Sequence, residues 1–402
     1  MSPRNIFHWR CFLKLFQVIK MKYINILIFF QIFIFELYAQ KEAYNWDYGS
    51  LNVMTFDTPT GEPQILYKSI MPRFYNQTEH TEGCSSISDS NGIFQFSTNG
   101  TRIYNYLGIP DSIKDENDYI TLGGSFSSTQ AALIVKKPGT ENIYYIFTTE
   151  SEEATGKLRY TVIEIDKIEK GIKIISLNNE LISNTTEKLI GIKHANGNDV
   201  WIITTKRQSN SYYSFLLTEQ GITKKPVKSN SSIYWDLSMG QGYMKSDIKG
   251  ELIANTINNL HNPPLYSGPS NYSIELLKFD KLSGNISSLL GFKIDTSISS
   301  LLYGLEFSPD ANKLYVCSNI LFQLDITILD SNTVNKSFVI IKNVFPGALQ
   351  LAPNGKIYLE RHSSGTSNFA YYTLGVINKP NLSGLTCNYN TNGTSFLSSS
   401  SF

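Results

Sequence analysis

Charge is scarce in this 402-residue chain, where Asp, Glu, Lys and Arg together make 17%. After residue 40 there is no long stretch with the 3.6-residue apolar period of an amphipathic helix, which excludes bundle and helical-repeat architectures. Histidine is rare, and His80, His194, His261 and His362 show neither His-Glu-x-x-His nor a short His-x-His spacing. No metal site can be read from them, because neither spacing that would plant two ligands on one element is present. The sequence also lacks a Gly-x-Ser-x-Gly elbow and a Gly-x-x-x-x-Gly-Lys phosphate loop. Asp89-Ser90-Asn91-Gly92 starts like a calcium loop but has no Glu six residues past the glycine, so it reads as a turn. No catalytic residue, metal or cofactor is assigned, and an enzyme is the less favoured class.

Charge of one sign is missing as well. The chain carries 35 basic and 34 acidic residues. Leaving out Arg4, Arg10, Lys14, Lys20, Lys22 and Glu36, which precede residue 40, gives 30 basic against 33 acidic, a net of −3. A slightly acidic body without a basic stripe cannot neutralise a phosphate backbone, which excludes nucleic acid as a partner. The pairs Lys136-Lys137 and Lys224-Lys225 read as solvated turn lysines.

What is plentiful is apolar and aromatic: 41% and 13% of the residues, with 24 Tyr and 23 Phe. Val, Ile and Thr recur, and Ser and Asn crowd the gaps between apolar runs. That mixture favours half-buried strands joined by tight turns, and it is ample for a large core.

Lys20 and Lys22 precede an apolar run from Tyr23 to Phe35, and Leu37-Tyr38-Ala39 puts a small residue where signal peptidase cuts, before Gln40. Residues 1–39 read as an N-terminal extension and helical signal peptide, with Met21 as a second candidate start. Residues 40–402 read as one exported domain. The apolar core, about 13 residues interrupted by Asn25 and Gln31, falls short of the roughly 20 that cross a bilayer. An uncleaved anchor is the competing reading and the only membrane contact expected. Cys84, Cys317 and Cys387 remain after residue 39. Cys317 lies in an apolar run and reads as a buried small hydrophobe. Cys84 and Cys387, near the two ends of the fold, are a candidate disulfide if the ends meet.

One element recurs: a turn rich in Asn, Asp, Gly or Pro, then at once a short apolar strand. The strands begin at Ile93, Ile143, Val200, Leu252, Leu314 and Ile357, at spacings of 50, 57, 52, 62 and 43 residues. The turns read as two-residue hairpins whose Gly and Asn reach positive φ. Continuous apolar character in the strands means that both faces are buried, as when sheet stacks on sheet. A second turn type, Phe56–Gly61 and Phe279–Gly284, reads as the link between two outer strands. The fold expected is all-β: a single β-propeller of seven blades, with six as the alternative. The seventh blade is expected to be composite, with outer strands from Asn45 to Tyr67 and inner ones from the segment after Thr386.

In a propeller the lead-in to each innermost strand faces the mouth of the central channel, where ligands settle. Those positions hold Glu82, Thr129, Gln130, Glu187, Lys188, Gln241, Tyr303 and Gln350. They suit a small polar ligand or bound channel waters.

The stretches Glu82–Asp89, Ser128–Ala131, Thr186–Leu189 and Lys193–Asp199, with Gly304–Asp310 and Gly347–Tyr358, resemble the N-terminal propeller of gliding-motility-associated surface proteins exported by the type IX route. The resemblance covers roughly residues 44–400. It implies a WD40- or YVTN-like propeller at or outside the outer membrane, used for binding or adhesion, with no catalytic residues to carry over; for the exported chain itself the cell surface or the periplasm is expected. The partner implied is a cell-envelope protein or glycan, met by a monomer. Family members continue into Ig-like repeats and a sorting domain, which puts surface delivery of this chain in question. The alternative function is a lactonase-like hydrolase, since Ser308-Pro309-Asp310 before Leu314-Tyr315-Val316 is similar to repeats of that propeller class.

Overall fold

The structure, a computed structural model, describes residues 41–48, 52–68, 82–105, 121–151, 156–166, 171–232, 238–259, 271–294, 301–361 and 373–395. The export segment and His80, His261 and His362 lie outside the described residues. No helix among those described is long and apolar enough to cross a membrane.

The regular structure among the described residues is almost wholly strand, arranged in seven hydrogen-bonded sheets that follow one another in sequence. The first holds β1 (Asn45–Tyr48), β2 (Asn52–Thr55) and β3 (Gln64–Lys68), and the second β4 (Ser85–Ser88), β5 (Phe94–Thr98) and β6 (Ile103–Asn105). The third holds β7 (Ala132–Lys136), β8 (Ile143–Thr149), β9 (Lys157–Ile165) and β10 (Ile172–Ser183). In the fourth are β11 (Thr185–Lys193), β12 (Val200–Lys206), β13 (Ser211–Thr218), β14 (Gly221–Ile222) and β15 (Val227–Asn230). The fifth contains β16 (Ser238–Met239), β17 (Met244–Ser246), β18 (Leu252–Asn259), β19 (Asn271–Phe279) and β20 (Ile286–Ile294). The sixth is β21 (Gly304–Phe307), β22 (Lys313–Cys317), β23 (Ile320–Asp325) and β24 (Val339–Asn343). The seventh is β25 (Leu349–Leu351), β26 (Ile357–Arg361), β27 (Thr373–Ile377) and β28 (Tyr389–Ser395). Every pairing is antiparallel and joins neighbours in the chain, except that β15 also pairs β13 and β16 pairs β18.

Sheets two to seven each contain one of the six turn-plus-strand signatures, as their first hairpin, and are six blades of a β-propeller. The innermost strands β4, β7, β11, β17, β21 and β25 lie each against the next around a central channel. The first sheet is three-stranded and consists of N-terminal residues alone. The expected composite blade is therefore corrected: β28 pairs β27 as the outermost strand of the last sheet. Among the described residues no strand pairing joins the two ends of the chain.

The apolar core is divided into slabs. Alternating residues of one strand point to opposite faces, so Tyr144 and Ile146 of β8 pack against the second sheet while Tyr145 and Phe147 pack against the fourth. The same alternation fills the junctions between sheets four and five, five and six, and six and seven. All five residues of β22 are buried, which is why the signature strands read as unbroken apolar runs.

The ring closes through side chains. Met54 and Phe56 of the first sheet pack on Tyr358, Leu374 and Val376 of the last. Trp46 and Phe56 meet the Tyr358 ring edge-on at 5.8 and 5.5 Å, and Lys356 pairs with Glu62 at 2.6 Å. On its other flank the first sheet meets the second through polar contacts: Asn45 Nδ2 donates to Ser88 Oγ at 2.8 Å and to Gly92 O at 2.6 Å, and Ser97 donates to Asp47.

The hairpins are wider than two residues. Asp89 N bonds Ile93 O with three residues between, and Lys137 N bonds Ile143 O with five between. Asp side chains explain the width, since Asp247 Oδ1 accepts from the amides of Glu251 and Leu252, both at 2.8 Å, folding the loop on itself. The second turn type links outer strands as expected, β2 to β3 and β19 to β20. There Gly284, at φ +74°, leaves room for the Trp201 ring, which a Cβ would meet at 2.6 Å, and Trp201 Nε1 donates to Lys281 O at 2.8 Å. Gly284→Ala is expected to cost about 2–3 kcal/mol, strain and overpacking together; a urea midpoint equal to that of the parent protein would refute this.

Candidate functional site

The inner strands begin at backbone junctions tight enough to fix their side chains. Gly83 N donates to Ser128 O at 3.1 Å, and a Cβ on Gly83 would fall 2.3 Å from Ala131 N. This sets Glu82 beside the loop that holds Thr129 and Gln130.

From there a belt of polar side chains runs from blade to blade. Glu187 Oε2 accepts from Thr129 N at 2.7 Å and from Thr129 Oγ1 at 2.8 Å. Gln130 reaches across two blades: its Nε2 donates to Leu189 O at 3.0 Å and Met244 O at 3.1 Å, and its Oε1 accepts from Met244 N at 2.9 Å. The Lys188 ammonium donates to Gly242 O at 2.7 Å, Gln241 O at 3.1 Å and Thr256 Oγ1 at 3.2 Å. Asn258 continues the belt, donating to Leu302 O and accepting from Leu302 N, both at 2.9 Å. A second set joins the fifth, sixth and seventh sheets: Lys245 bonds Gln350 Oε1 at 2.5 Å and lies 3.4 Å from Glu306 Oε2, which accepts from Leu351 N at 3.0 Å.

The structure thus brings together Glu82, Thr129, Gln130, Glu187, Lys188, Gln241 and Tyr303, while Gln350 sits apart with Lys245 and Glu306. Gln241 takes part through its backbone carbonyl. Tyr303 stands edge-on to Tyr243 at 5.7 Å. Burial first, then the Glu82 and Glu360 carboxylates, push its phenol well above the ordinary tyrosine range.

Cys84, expected only as a disulfide candidate, lies with Tyr243, Asn258 and Glu360 in the same lining; these last three, like Lys245 and Glu306 beside Gln350, were not among the channel positions expected from the sequence. Gln241, Tyr243 and Lys245 lie two apart on the lead-in to β17 and on β17 itself, so period-two spacing from Gln241 could have found the other two. Glu360 sits on β26, the second strand of its blade, where lead-in positions do not point. Its carboxylate reaches Glu82, Cys84, Tyr243 and Tyr303 electrostatically.

The candidate disulfide is not formed: all three described cysteines are free. Cys84 leads into β4 beside the channel, where its Sγ donates to Asp47 O at 3.3 Å. Cys387 is buried between the sixth and seventh sheets with Tyr315 and Cys317. His194 serves its turn: Nδ1 accepts from Asn196 N at 3.1 Å, and Nε2 lies 3.2 Å from Leu282 O.

Glu82 is the carboxyl that this setting brings into the neutral range. Burial, then the Glu187 and Glu360 carboxylates, raise its carboxyl from 4.5 to about 7, against a hydrogen bond from Ser127. The folded protein holds this proton more tightly than the unfolded chain. The contribution to stability is therefore complete below pH 4.5 and is lost as the pH rises through about 7. Glu82→Gln is expected to flatten the stability profile between pH 5 and 8. At pH 8 it should stabilise by roughly 1–2 kcal/mol, a figure discounted for the half-exposed side chain; parallel pH profiles of unfolding for the two proteins would contradict it.

Fold and lining together define a β-propeller in which the Glu82, Glu187 and Glu360 carboxylates gather at a hydrogen-bonded belt of inner-strand side chains. No protein-family profile and no curated protein matches the sequence. Among solved structures the chain is similar to Sqt1 from Chaetomium thermophilum, at 12% identity and TM-score 0.35, covering 61% of this chain and 58% of that one. It is similar also to a putative 6-phosphogluconolactonase from Bacteroides fragilis, at 9% identity and TM-score 0.40 over 83% and 88% of the two chains. The β-propeller domain of Myceliophteria thermophila Cps50 (Swd1) aligns at 10% identity and TM-score 0.41 over 79% and 93%. These likenesses concern the fold alone.

Proposed function

We propose that the protein is an exported, non-catalytic propeller of the bacterial cell envelope or surface that presents its channel mouth and loops to an envelope protein or glycan. One observation carries this reading: Thr129, Gln130, Glu187 and Lys188 are bonded to neighbouring blades at 2.7–3.1 Å. Side chains so engaged rigidify a ring and have little freedom to follow a reaction coordinate, whereas a preorganised ring lowers the ordering cost of binding. The sequence resemblance to gliding-motility-associated propellers supports the compartment and the adhesive role.

The second reading, a lactonase-like hydrolase acting at the channel, is favoured by one feature. Glu82, raised to about 7 beside Glu187 and Glu360, has the proton affinity of a general acid or base at neutral pH. The two readings part in one experiment on residues 40–402: metal analysis with a lactone and ester hydrolysis screen, run beside a glycan array and an envelope pull-down. Saturable glycan or envelope-protein binding without turnover is expected; turnover abolished by Glu82→Gln would replace the first reading by the second.

A further inference from the structure

The sixth sheet carries a surface that the channel does not use. Among the exposed large hydrophobic side chains of the described residues, Val339 and Ile340 lie on β24, and Leu382 and Leu385 lie in the loop whose short turn Gly384–Cys387 packs against that strand. Such clustering separates a patch from the scattered apolar residues of any surface. Val339 and Ile340 are consecutive in β24 and point to opposite faces, yet both are exposed, at 37% and 44%. The end of this strand therefore projects from the body. Gln323 holds the loop alongside it, donating to Leu382 O at 2.8 Å and accepting from Gly384 N at 2.7 Å.

The preceding sheet protects its outer edge. The short helix Ser331–Lys336 packs on β20, with Ser331 Oγ donating to Gly291 O at 3.2 Å, and Ser229 Oγ of β15 accepts from Ile286 N at 2.9 Å. β24 pairs β23 and, among the described residues, no second strand. Exposed edges of this kind are normally covered or charged.

Charge indicates what covers it. Lys336, Lys342 and Lys379 are exposed around the patch and take part in none of the ion pairs found among the described residues. Nearby acids are engaged, Asp325 with Lys313 and Asp330 with the Thr333 amide that it caps and, at longer range, with the Lys336 charge. A second copy of this chain would bring lysine against lysine, which opposes self-pairing.

We propose that β24 is a docking edge for an extended segment of a partner protein in which apolar side chains alternate with Asp or Glu, added as a further strand to the sixth sheet. This is independent of the channel's role. The test titrates the full chain with a fluorescent synthetic peptide, Ile-Glu-Val-Glu-Ile-Asp-Val, and with its counterpart carrying Lys at the acidic positions. The acidic peptide is expected to bind at least about tenfold more tightly. Lys336→Glu with Lys342→Glu should abolish that preference and Ile340→Asp should weaken binding to a similar degree, while Lys173→Glu on the third sheet leaves it unchanged. Equal binding of the two peptides, or no binding by protein with native circular dichroism, would overturn the proposal. So would capture of anionic phospholipid vesicles without the peptide, or a dimer that Ile340→Asp dissolves.

Discussion

Lys188→Ala is expected to lower the free energy of unfolding by about 3–5 kcal/mol, a large share of the roughly 5–15 kcal/mol that holds a native domain together. Lys188 is 1% exposed, and its ammonium serves the carbonyls of Gln241 and Gly242 and the Thr256 hydroxyl. Alanine removes the donor from those acceptors and opens a cavity where the stem lay, and both effects act in a site that water does not freely fill. Lys188→Met separates the two: it keeps most of the stem, so it should recover the packing loss and still fall about 2 kcal/mol below the parent protein. Urea unfolding followed by far-UV circular dichroism measures both. If Lys188→Ala lies within 1 kcal/mol of the parent, the belt is not a structural element and its lysine is free for a ligand.

Tyr358→Ala is the second change expected to be severe, at about 3–5 kcal/mol. Its ring meets Trp46 and Phe56, and its hydroxyl accepts from Asn354 Nδ2 at 3.0 Å. The described first and last sheets share no strand pairing, and the apolar seam that joins them, Met54 and Phe56 with Leu374 and Val376, has Tyr358 within it. The half-exposed Lys356–Glu62 pair beside it contributes under about 1 kcal/mol. Loss of the ring should therefore act locally before it acts globally: amides of β1 and β2 exchange faster, while those of β22, packed on both faces, keep their protection. Uniform acceleration across all sheets would show that the seam is not the weak point.

Much of the fold was legible. Each signature turn does precede the second strand of a blade, and the apolar runs at Ile143, Val200 and Leu314 read as doubly buried because stacked sheets bury both faces. Turn width was misjudged because an Asp such as Asp247 satisfies several loop amides at once, a geometry that residue types alone do not fix. The composite blade failed for another reason. β28 has the composition of any outer strand, and which edge it joins depends on where β27 ends in space. The channel was partly legible: lead-in positions found Glu82, Thr129, Glu187 and Lys188, but Glu360 enters from a second strand.

What the sequence determined by itself was local: where strands start, which turns take Gly or Asn, and that six similar units must stack, because each alone leaves two apolar faces in water. What the tertiary structure decided was pairing at a distance. Cys84 and Cys387 remain apart, three glutamates converge on one mouth, and a lysine becomes a buried brace. Those outcomes depend on the angle between successive sheets, which the sum of all the slabs sets and no single segment encodes.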